Sequence, residues 1–519
     1  MSTDEQDVAA LSDVPEGALK AVSIGDAKIL LSRSGGIVHA VGATCPHAGG
    51  PLAEGARNGD RIVCPWHKAT FCLRTGALLE PPAVDALPRY SARIADGRVF
   101  VSTKPADENA HPVPQGSDSR TFVIVGGGAA GAVAAQTLRD EGFAGQIVML
   151  DRANRVPYDR TLLSKYHLSG EKGAEKTPLQ SQSFYRERRI ERRTADVVDV
   201  DPVQRRIICA DGTTLTYDKA LIATGAVPVP APMPGHDLRN VFTLRSRADA
   251  DAILAQAERS TRAVVLGASF IGMEVAAALR ERGLDVTVAG QENAPFEKQL
   301  GAEIGRAFVG LHEKRGVTLR LGVEVAAIEG EQAVKRVRLK DGETIEADLV
   351  VVGYGVRPAT DTLKRISRRE DGGVDVDRSL RLAENLYVAG DIAAFPYGDD
   401  HIRVEHWRVA EQHGRIAALN MLGRDVSYSA PPVFWTIQYM KRLDYIGHAK
   451  DWDDIVIHGD LSKPEFLAYY VKDGNVIAAA GLDRDQDTAA LIELLAMRQW
   501  TAEELGDAPH AVLARLGQQ

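Results

Sequence analysis

The chain has 519 residues, of which 62 are Lys or Arg and 71 are Asp or Glu, so its formal net charge is −9. Hydrophobic residues make up 45% and charged residues 26% of the sequence, an ordinary globular composition that excludes a mainly disordered chain. The acidic balance without a basic run speaks against nucleic-acid binding, and four cysteines are too few for a disulfide scaffold.

The first residues and the longest uncharged stretch bear on location. The start, MSTDEQDVAA, is acidic and has no basic segment followed by an apolar one, so no secretory signal is expected. Residues 121–138 are uncharged but contain four glycines, and we interpret them as strand, tight turn and helix rather than as a membrane span. Together with the few cysteines, this predicts a soluble cytoplasmic protein.

The character of the sequence changes three times along the chain. Residues 6–104 hold short apolar runs separated by Gly, Pro and Asp, which predicts an all-β domain, and the proline-rich segment 105–119 predicts a linker. From residue 120, buried-type strands alternate with Ala- and Leu-rich helices, which predicts two α/β domains, one in 120–245 and 349–424 and one in 246–348. Residues 425–519 return to strands followed by a helix and predict an α+β C-terminal domain.

Two Cys–His pairs stand on separate Gly- and Pro-containing segments of the first domain, Cys45 with His47 and Cys64 with His67. Such a set can hold two irons asymmetrically, with two thiolates on one iron and two imidazoles on the other, as in a Rieske [2Fe–2S] centre. A structural Cys₂His₂ zinc site is the alternative, although zinc sites usually pair like ligands at short spacing.

Residues 6–104 resemble the Rieske domain family, including small and aromatic residues around both loops: Gly49, Gly50, Gly55, Phe71, Thr75 and Gly76. The resemblance implies that Gly50 and Trp66 replace the two additional cysteines of high-potential members, so the cluster belongs to the lower-potential, ferredoxin-type group. Cys72 is expected to be a buried core thiol, with a contact toward the cluster as the alternative.

A first nucleotide fingerprint follows the linker. The strand-like run 122–125 leads into a G-x-G-x-x-G motif and an Ala-rich helix, and the next strand ends in an acidic residue. The glycines let the backbone approach a pyrophosphate at the helix N-terminus, and the carboxylate accepts hydrogen bonds from a ribose. The predicted site contains Gly126, Gly128, Ala130, Gly131 and Asp151.

A second, looser fingerprint begins about 140 residues later and favours a duplicated nucleotide-binding fold. A plain structural βαβ unit is the alternative. The predicted nicotinamide-nucleotide site contains Gly267, Ser269, Phe270, Ile271, Gly272 and Glu274.

Residues 120–519 resemble the pyridine-nucleotide flavoprotein reductases, in which FAD occupies the first site and NAD(P)H the second. Four further segments match in order: 157–165, 221–225, 385–391 and 405–407 together with 434–435. With the Rieske part, the chain is most similar to the apoptosis-inducing-factor-like Rieske flavoproteins and next to the dioxygenase-type ferredoxin reductases. The resemblance implies glutathione-reductase-like FAD and NAD domains.

The resemblance also implies residue roles. Lys165, Glu405 and Trp407 are expected to be catalytic. Further contacts to the cofactors are expected from Arg160, Lys165, Val197, Thr224, Gly225, Arg245, Gly355, Asp391, His406, Trp407 and Trp435.

Plain structural roles compete with the expected roles of six of these residues. Lys165 can be a solvated surface lysine, and the two tryptophans ordinary core residues. Glu405 and His406 can cap or pack the following helix, and Arg245 can form a surface ion pair.

Two departures from the reductase pattern narrow the chemistry. Residues 158–160, Tyr-Asp-Arg, occupy the region where disulfide reductases have a redox-active cysteine, which excludes thiol–disulfide exchange. After the second fingerprint, Gly290 replaces the acid that binds the adenosine 2′-hydroxyl, with Glu292 two positions later and no arginine following. NADH is therefore favoured over NADPH.

These features predict an oxidoreductase that passes electrons from NAD(P)H through FAD to a Rieske cluster and on to a protein acceptor, a ferredoxin or an oxygenase component. The linker is expected to raise the effective concentration of the Rieske domain at the flavin. The histidine-bearing loops are expected to face outward in the Rieske domain, where they can dock on the flavin domain and, after a swing of the domain, on a partner. The alternatives are an NADH oxidase, a quinone or dye reductase, and an NADH-sensing protein like apoptosis-inducing factor. A homodimer through the C-terminal domain is left open.

Overall fold

The computed structural model of the protein describes residues 4–106, 116–171, 178–463 and 465–517. Most of the predicted linker, residues 107–115, lies outside these ranges. Within them, no helix is both long and apolar enough to cross a bilayer. Residues 121–138 instead form a strand, a glycine turn and a helix, as predicted.

The N-terminal domain consists of three small antiparallel sheets, ordered β1-β11-β10, β2-β3-β4-β9 and β5-β6-β7-β8. Its strands are β1 (Glu5–Ala10), β2 (Leu19–Ile24), β3 (Ala27–Ser34), β4 (Ile37–Gly42), β5 (Ala56–Asn58), β6 (Arg61–Val63), β7 (Thr70–Cys72), β8 (Leu78–Glu80), β9 (Arg89–Tyr90), β10 (Ala92–Ala95) and β11 (Arg98–Ser102). The two Cys–His loops precede β5 and follow β6, so the four-stranded sheet β5–β8 positions both.

The first nucleotide domain is built on a six-stranded sheet, ordered β14-β13-β12-β18-β31-β30, in which only β30 runs antiparallel to its neighbour. Two small sheets, β15-β16-β17 and β29-β32-β33, accompany it. Its strands are β12 (Thr121–Val125), β13 (Gln146–Asp151), β14 (Ile190–Thr194), β15 (Val197–Asp201), β16 (Arg206–Cys209), β17 (Thr214–Thr216), β18 (Lys219–Ile222), β29 (Val374–Asp375), β30 (Arg381–Ala383), β31 (Leu386–Val388), β32 (Ala393–Tyr397) and β33 (Asp400–Ile402). Its helices are α1 (Ala129–Asp140), α2 (Gln182–Glu187) and α7 (Trp407–Met421).

Helices α1 and α7 lie against each other across the FAD fingerprint. A methyl group on Gly414 of α7 would lie 2.1 Å from the carbonyl oxygen of Ala130, so only glycine permits this approach. Because the two helices are this close, the middle of α7 is held against the first turn of α1.

The second nucleotide domain has a five-stranded parallel sheet, ordered β20-β27-β21-β22-β23, and an antiparallel sheet β24-β25-β26. Its strands are β20 (Val241–Thr243), β21 (Arg262–Leu266), β22 (Asp285–Gly290), β23 (Thr318–Leu321), β24 (Val325–Gly330), β25 (Val334–Leu339), β26 (Thr344–Glu346) and β27 (Leu349–Val352), and its helices are α3 (Arg247–Ala257), α4 (Phe270–Glu281), α5 (Glu297–Leu300) and α6 (Ala302–Glu313). A two-stranded ribbon, β19 (Ala226–Pro228) with β28 (Val356–Pro358), joins the two nucleotide domains.

The nucleotide sheet extends beyond the predicted segment 246–348 on both sides, because β20 and β27 pair with each other and β27 pairs with β21. Both strands are short and apolar, and sequence alone does not say which of two neighbouring sheets such a strand joins.

The C-terminal domain is a five-stranded antiparallel sheet, ordered β34-β35-β38-β37-β36, covered by helices. Its strands are β34 (Val433–Gln438), β35 (Lys441–Gly447), β36 (Asp454–Asp460), β37 (Glu465–Lys472) and β38 (Asn475–Leu482), and its helices are α8 (Asp485–Met497), α9 (Ala502–Leu505) and α10 (Pro509–Leu516). The predicted fold class, an all-β domain, two α/β domains and an α+β domain, is confirmed.

Candidate functional site

The two Cys–His loops are closed by backbone hydrogen bonds. The N–H of Cys45 donates to the carbonyl of Gly50, and the N–H of Cys64 donates to the carbonyl of Ala69, at 2.9 and 2.8 Å. Both thiols are buried. The Cys45 thiol donates to the Cys64 sulfur, and this contact, together with the N–H groups of Trp66 and His67, lowers the pKa of Cys64 to about 7. The N–H groups of Trp66 and His67 therefore stabilise the thiolate form of Cys64.

The two histidines meet through their Nδ1 atoms. Nδ1 of His47 lies 3.2 Å from Nδ1 of His67, with the rings nearly perpendicular. Burial, and then the neighbouring His47, hold the pKa of His67 well below its usual range, so its imidazole is neutral, as a metal ligand must be.

The donor set forms two pairs rather than one group of four. Within the part of the chain that the structure describes, no three His, Cys, Asp or Glu side chains converge on one point that could hold a single ion. A structural zinc needs four ligands around one ion, whereas a [2Fe–2S] cluster takes a thiolate pair at one end and an imidazole pair at the other. The paired sulfurs of Cys45 and Cys64 and the paired rings of His47 and His67 therefore fit the two ends of such a cluster.

The two positions where high-potential members have additional cysteines lie next to each other. A Cβ atom on Gly50 would lie 2.7 Å from the sulfur of Cys64 and 3.4 Å from the indole of Trp66, so residues 50 and 66 are neighbours, as the resemblance implied. Cys72 is half-buried. Burial raises the pKa of its thiol, but hydrogen bonding with Thr75 lowers it, and the overall shift is downward. Cys72 differs from the fully buried thiol that was expected.

The first fingerprint forms an open cradle. Gly126 has a φ of 110°, and a methyl group on Gly131 would lie 1.9 Å from the carbonyl oxygen of Gly126, while nothing lies within 4 Å of the Cβ position of Gly128. The N–H of Gly127 donates to Asp151 Oδ2 at 2.5 Å. Ala130 stands in the first turn of α1. These residues fit the pyrophosphate and ribose of FAD.

Lys165 is not a solvated surface lysine. Its Nζ lies 3.0 Å from Glu274 Oε2, and both side chains are buried, at 6% and 2% exposure. The Thr436 hydroxyl donates to Glu274 Oε1 at 2.7 Å. One carboxylate of the second nucleotide domain thus joins the predicted flavin lysine to strand β34 of the C-terminal domain.

Arg245 is likewise engaged inside the site. Its Nη2 lies 2.7 Å from Asp391 Oδ2, next to Gly225, in a half-buried ion pair. The hydroxyl of Thr224 donates to Ala359, which fixes the turn. Arg160 is largely covered, and burial, followed by nearby Arg245, lowers its pKa.

The segment 405–407 leads into α7. Glu405 carries a raised pKa because it is desolvated, an effect that its ion pair with Arg403 at 2.6 Å opposes. His406 is the N-cap of α7 but makes no side-chain capping hydrogen bond, and its ring packs on Phe434 at 4.8 Å. Burial lowers its pKa to about 3, and its Nδ1 has no hydrogen-bond partner among the described residues. Trp407 is half-buried and packs on the core of the FAD domain.

The second fingerprint is held by Ser269, whose hydroxyl donates to the carbonyl of Gly353 and accepts from the N–H of Gly272. Gly267 has a φ of 101°, and a methyl on Gly272 would meet the Gly267 carbonyl at 2.2 Å. In the first turn of α4, Phe270 stacks on Phe296 and Ile271 is 44% exposed. Gly355 faces open space.

Glu292 reaches back to this turn. A Cβ atom on Gly290 would lie 3.3 Å from the methyl of Ala268 and 3.6 Å from Oε2 of Glu292. The Ala268 methyl therefore crowds the position where a side chain at residue 290 would begin, and the carboxylate of Glu292 lies beside it.

The Rieske domain is docked on the reductase with its second loop inward. The ring of His67 lies 4.9 Å from that of Trp435, which precedes Thr436 on β34 and is 9% exposed. Trp435 is thus a buried residue that touches a predicted cluster ligand rather than an isolated core aromatic. The second histidine-bearing loop thus lies on the face of the Rieske domain that contacts the reductase. The expected swing toward a partner stays a prediction.

Several residues near the sites went unrecognised in the sequence. A cavity of about 370 Å³ beside Asp151 is lined by four arginines that no motif marks: Arg155, Arg192, Arg193 and Arg247. Val197 is buried in the domain core and does not line this cavity. In α7, Glu411 is fully buried, and desolvation followed by the nearby Asp159 raises its pKa well above the usual range.

Family models match the whole architecture. Residues 4–91 match the Rieske [2Fe-2S] domain, residues 120–414 the pyridine nucleotide-disulphide oxidoreductases and residues 433–515 the reductase C-terminal domain. The predicted cofactors, FAD, NAD(P)H and a Rieske cluster, are confirmed at this level.

Known proteins and solved structures are similar to this chain over most of its length. Human apoptosis-inducing factor 3 is 36% identical over 511 residues, covering 95% of this chain and 84% of the relative. A ferredoxin–NAD(P)⁺ reductase from Sphingomonas sp. is 34% identical, covering 70% and 90%. The crystal structure of the covalent putidaredoxin reductase–putidaredoxin complex matches with a TM-score of 0.74 at 27% identity, covering 78% of this chain and all of that chain. The chain is therefore an oxidoreductase that belongs to the pyridine nucleotide-disulphide oxidoreductase family and carries a Rieske [2Fe–2S] domain at its N-terminal side.

Proposed function

We propose that this reductase takes electrons from NADH and passes them through FAD to its own Rieske cluster, and from there to a one-electron acceptor protein such as a ferredoxin or an oxygenase component. Bound flavin links a two-electron nicotinamide donor to a one-electron iron–sulfur acceptor. The ferredoxin reductases among its relatives support the reductase half of this proposal.

The contact between His67 and Trp435 is the observation that carries the proposal. Trp435 touches a cluster ligand at 4.9 Å between ring centroids, and the next residue, Thr436, is hydrogen-bonded to Glu274. Glu274 in turn pairs with Lys165, the residue expected over the flavin. The cluster loop and the flavin lysine are thus joined by a short run of buried contacts.

Glu292 supports NADH as the donor. Its carboxylate lies at the turn where the adenosine ribose is expected, and among the residues that the structure describes none forms a hydrogen bond or ion pair with its side chain. A free carboxylate there accepts from a 2′-hydroxyl and repels a 2′-phosphate.

The variant Cys45→Ser tests the order of the two redox groups. It removes a cluster ligand, so we expect loss of the iron–sulfur signal and of electron delivery to a ferredoxin, with NADH-driven dye reduction retained. If dye reduction also disappears while FAD remains bound, the linear order is wrong.

A further inference from the structure

The Rieske domain shares a hydrophobic core with the C-terminal domain. Ala56 and Val63, on β5 and β6, pack in one cluster with Val433, Ile446 and Leu491. Burying apolar residues of two domains in one core stabilises the docked arrangement, and the covalent link between the domains makes its entropic cost small.

A buried ion pair fixes the register of this interface. Lys68 follows the ligand His67 directly, and its Nζ lies 2.8 Å from Asp444 Oδ2, with side-chain exposures of 0% and 2%. The same ammonium donates to the backbone carbonyls of Pro65, in its own loop, and of Asp485, in the C-terminal domain. Arg442 of the C-terminal domain also donates to Pro65.

Two more regions of contact hold the domain. At the C-terminal domain, Glu493 accepts from Asn58 at 2.7 Å and pairs with Arg61 at 3.2 Å. At the start of α7, the fully buried Arg408 donates to the carbonyl of Pro81, and Gln412 donates to Glu80 at 2.7 Å. A swing of the domain would have to break the shared core, the ion pair and both sets of hydrogen bonds.

The two cluster loops differ in what surrounds them. In the second loop, Trp66 and His67 are half-buried, and the residues on either side of them are buried: Pro65, Lys68 and Ala69. In the first loop, His47 is half-buried and its neighbours are exposed: Thr44, Pro46, Ala48 and Gly49. One side of the cluster site thus faces Trp435, and the other is open to a partner without any movement.

We infer that the Rieske domain stays docked on the reductase through turnover, so that an acceptor protein is reduced at the exposed first loop, residues 44–49. This inference rests on the proposed function. The occupant of this loop surface is the one-electron acceptor protein of the proposed function, and cytochrome c is the probe used below.

Cross-linking the docked domain tests the inference. In a Cys72→Ser background, Asn58→Cys with Glu493→Cys places two thiols across the interface, where the native side chains lie 2.7 Å apart. A short bis-methanethiosulfonate reagent links them reversibly, and the single variant Asn58→Cys, treated alike, is the control. The readouts are the electron paramagnetic resonance signal of the reduced cluster after anaerobic NADH addition, and NADH-driven reduction of cytochrome c.

We expect no loss of either readout on cross-linking. Normal cluster reduction with lost cytochrome c reduction, restored when the link is cleaved and the thiol removed, would overturn the inference and show that the domain must leave its dock. A cluster that NADH does not reduce even in the unlinked protein would instead overturn the proposed function and, with it, this inference.

Discussion

Replacing Lys68 by Met separates the energetic role of the interdomain ion pair from that of packing. Methionine keeps the length of the side chain but leaves the buried Asp444 without the cation 2.8 Å away. Removing one partner of a buried pair costs about 3–5 kcal/mol. Because Arg442 Nε remains 3.5 Å from the other carboxylate oxygen and Thr488 donates at 2.9 Å, we expect a value near the lower limit, about 3 kcal/mol.

The double variant Lys68→Met/Asp444→Asn removes both charges and is the matched control. Replacing a whole buried pair by neutral groups is often close to neutral, so we expect most of the lost stability to return. In the thermal unfolding of the ~100-residue Rieske domain, followed by visible circular dichroism of the cluster, about 3 kcal/mol corresponds to a decrease in Tm of roughly 12–24 °C. The single variant Asp444→Asn completes the cycle. If the losses of stability in the two single variants add up to the loss in the double variant, the ion pair contributes nothing and the reasoning is refuted.

Four further predictions concern the other sites. Gly131→Ala places a methyl group 1.9 Å from the carbonyl oxygen of Gly126, so purified protein should contain little FAD by absorbance. Trp435→Leu should slow cluster reduction by NADH in stopped-flow spectroscopy while leaving dye reduction intact; equal losses in both would argue against its place between flavin and cluster. Glu292→Arg should raise kcat/KM for NADPH relative to NADH by roughly 10–100-fold, with unchanged preference as the contrary result. Burial lowers the pKa of His312 to about 4. As pH falls from 6.5 to 4, this histidine is protonated in the unfolded chain but not in the folded one, so about 3 kcal/mol of folding stability is lost. The variant His312→Gln should make the free energy of unfolding from urea titrations decline less steeply over this pH range.

The features that sequence predicts well are local. Cys45 and His47, and Cys64 and His67, lie close together within their own loops, and the glycines of each nucleotide fingerprint lie within one turn. The function of these residues depends on their spacing along the chain, so it can be predicted without the tertiary structure. The order of strands and helices in the α/β domains follows from apolar periodicity in the same way.

What sequence does not reveal are contacts between domains. In the sequence, nothing distinguishes Lys68 from the other lysines. Its ion pair with Asp444, on a strand of the C-terminal domain, becomes visible only when the Rieske domain is placed against that domain. Trp435 carries a motif for the flavin site, but its contact with His67 depends on how the Rieske domain sits. The sequence does not show whether Glu292 takes the role of the acid that Gly290 replaces, because the direction of its side chain, and not its spacing, brings its carboxylate back toward Ala268.

Anaerobic titration with NADH tests the central claim most directly. Protein with FAD and stoichiometric iron and acid-labile sulfide is mixed with excess NADH, and the cluster is followed by electron paramagnetic resonance. If electrons pass from FAD to the cluster within the chain, a reduced [2Fe–2S] signal appears without any added mediator. Iron that stays oxidised while the flavin is fully reduced would contradict it.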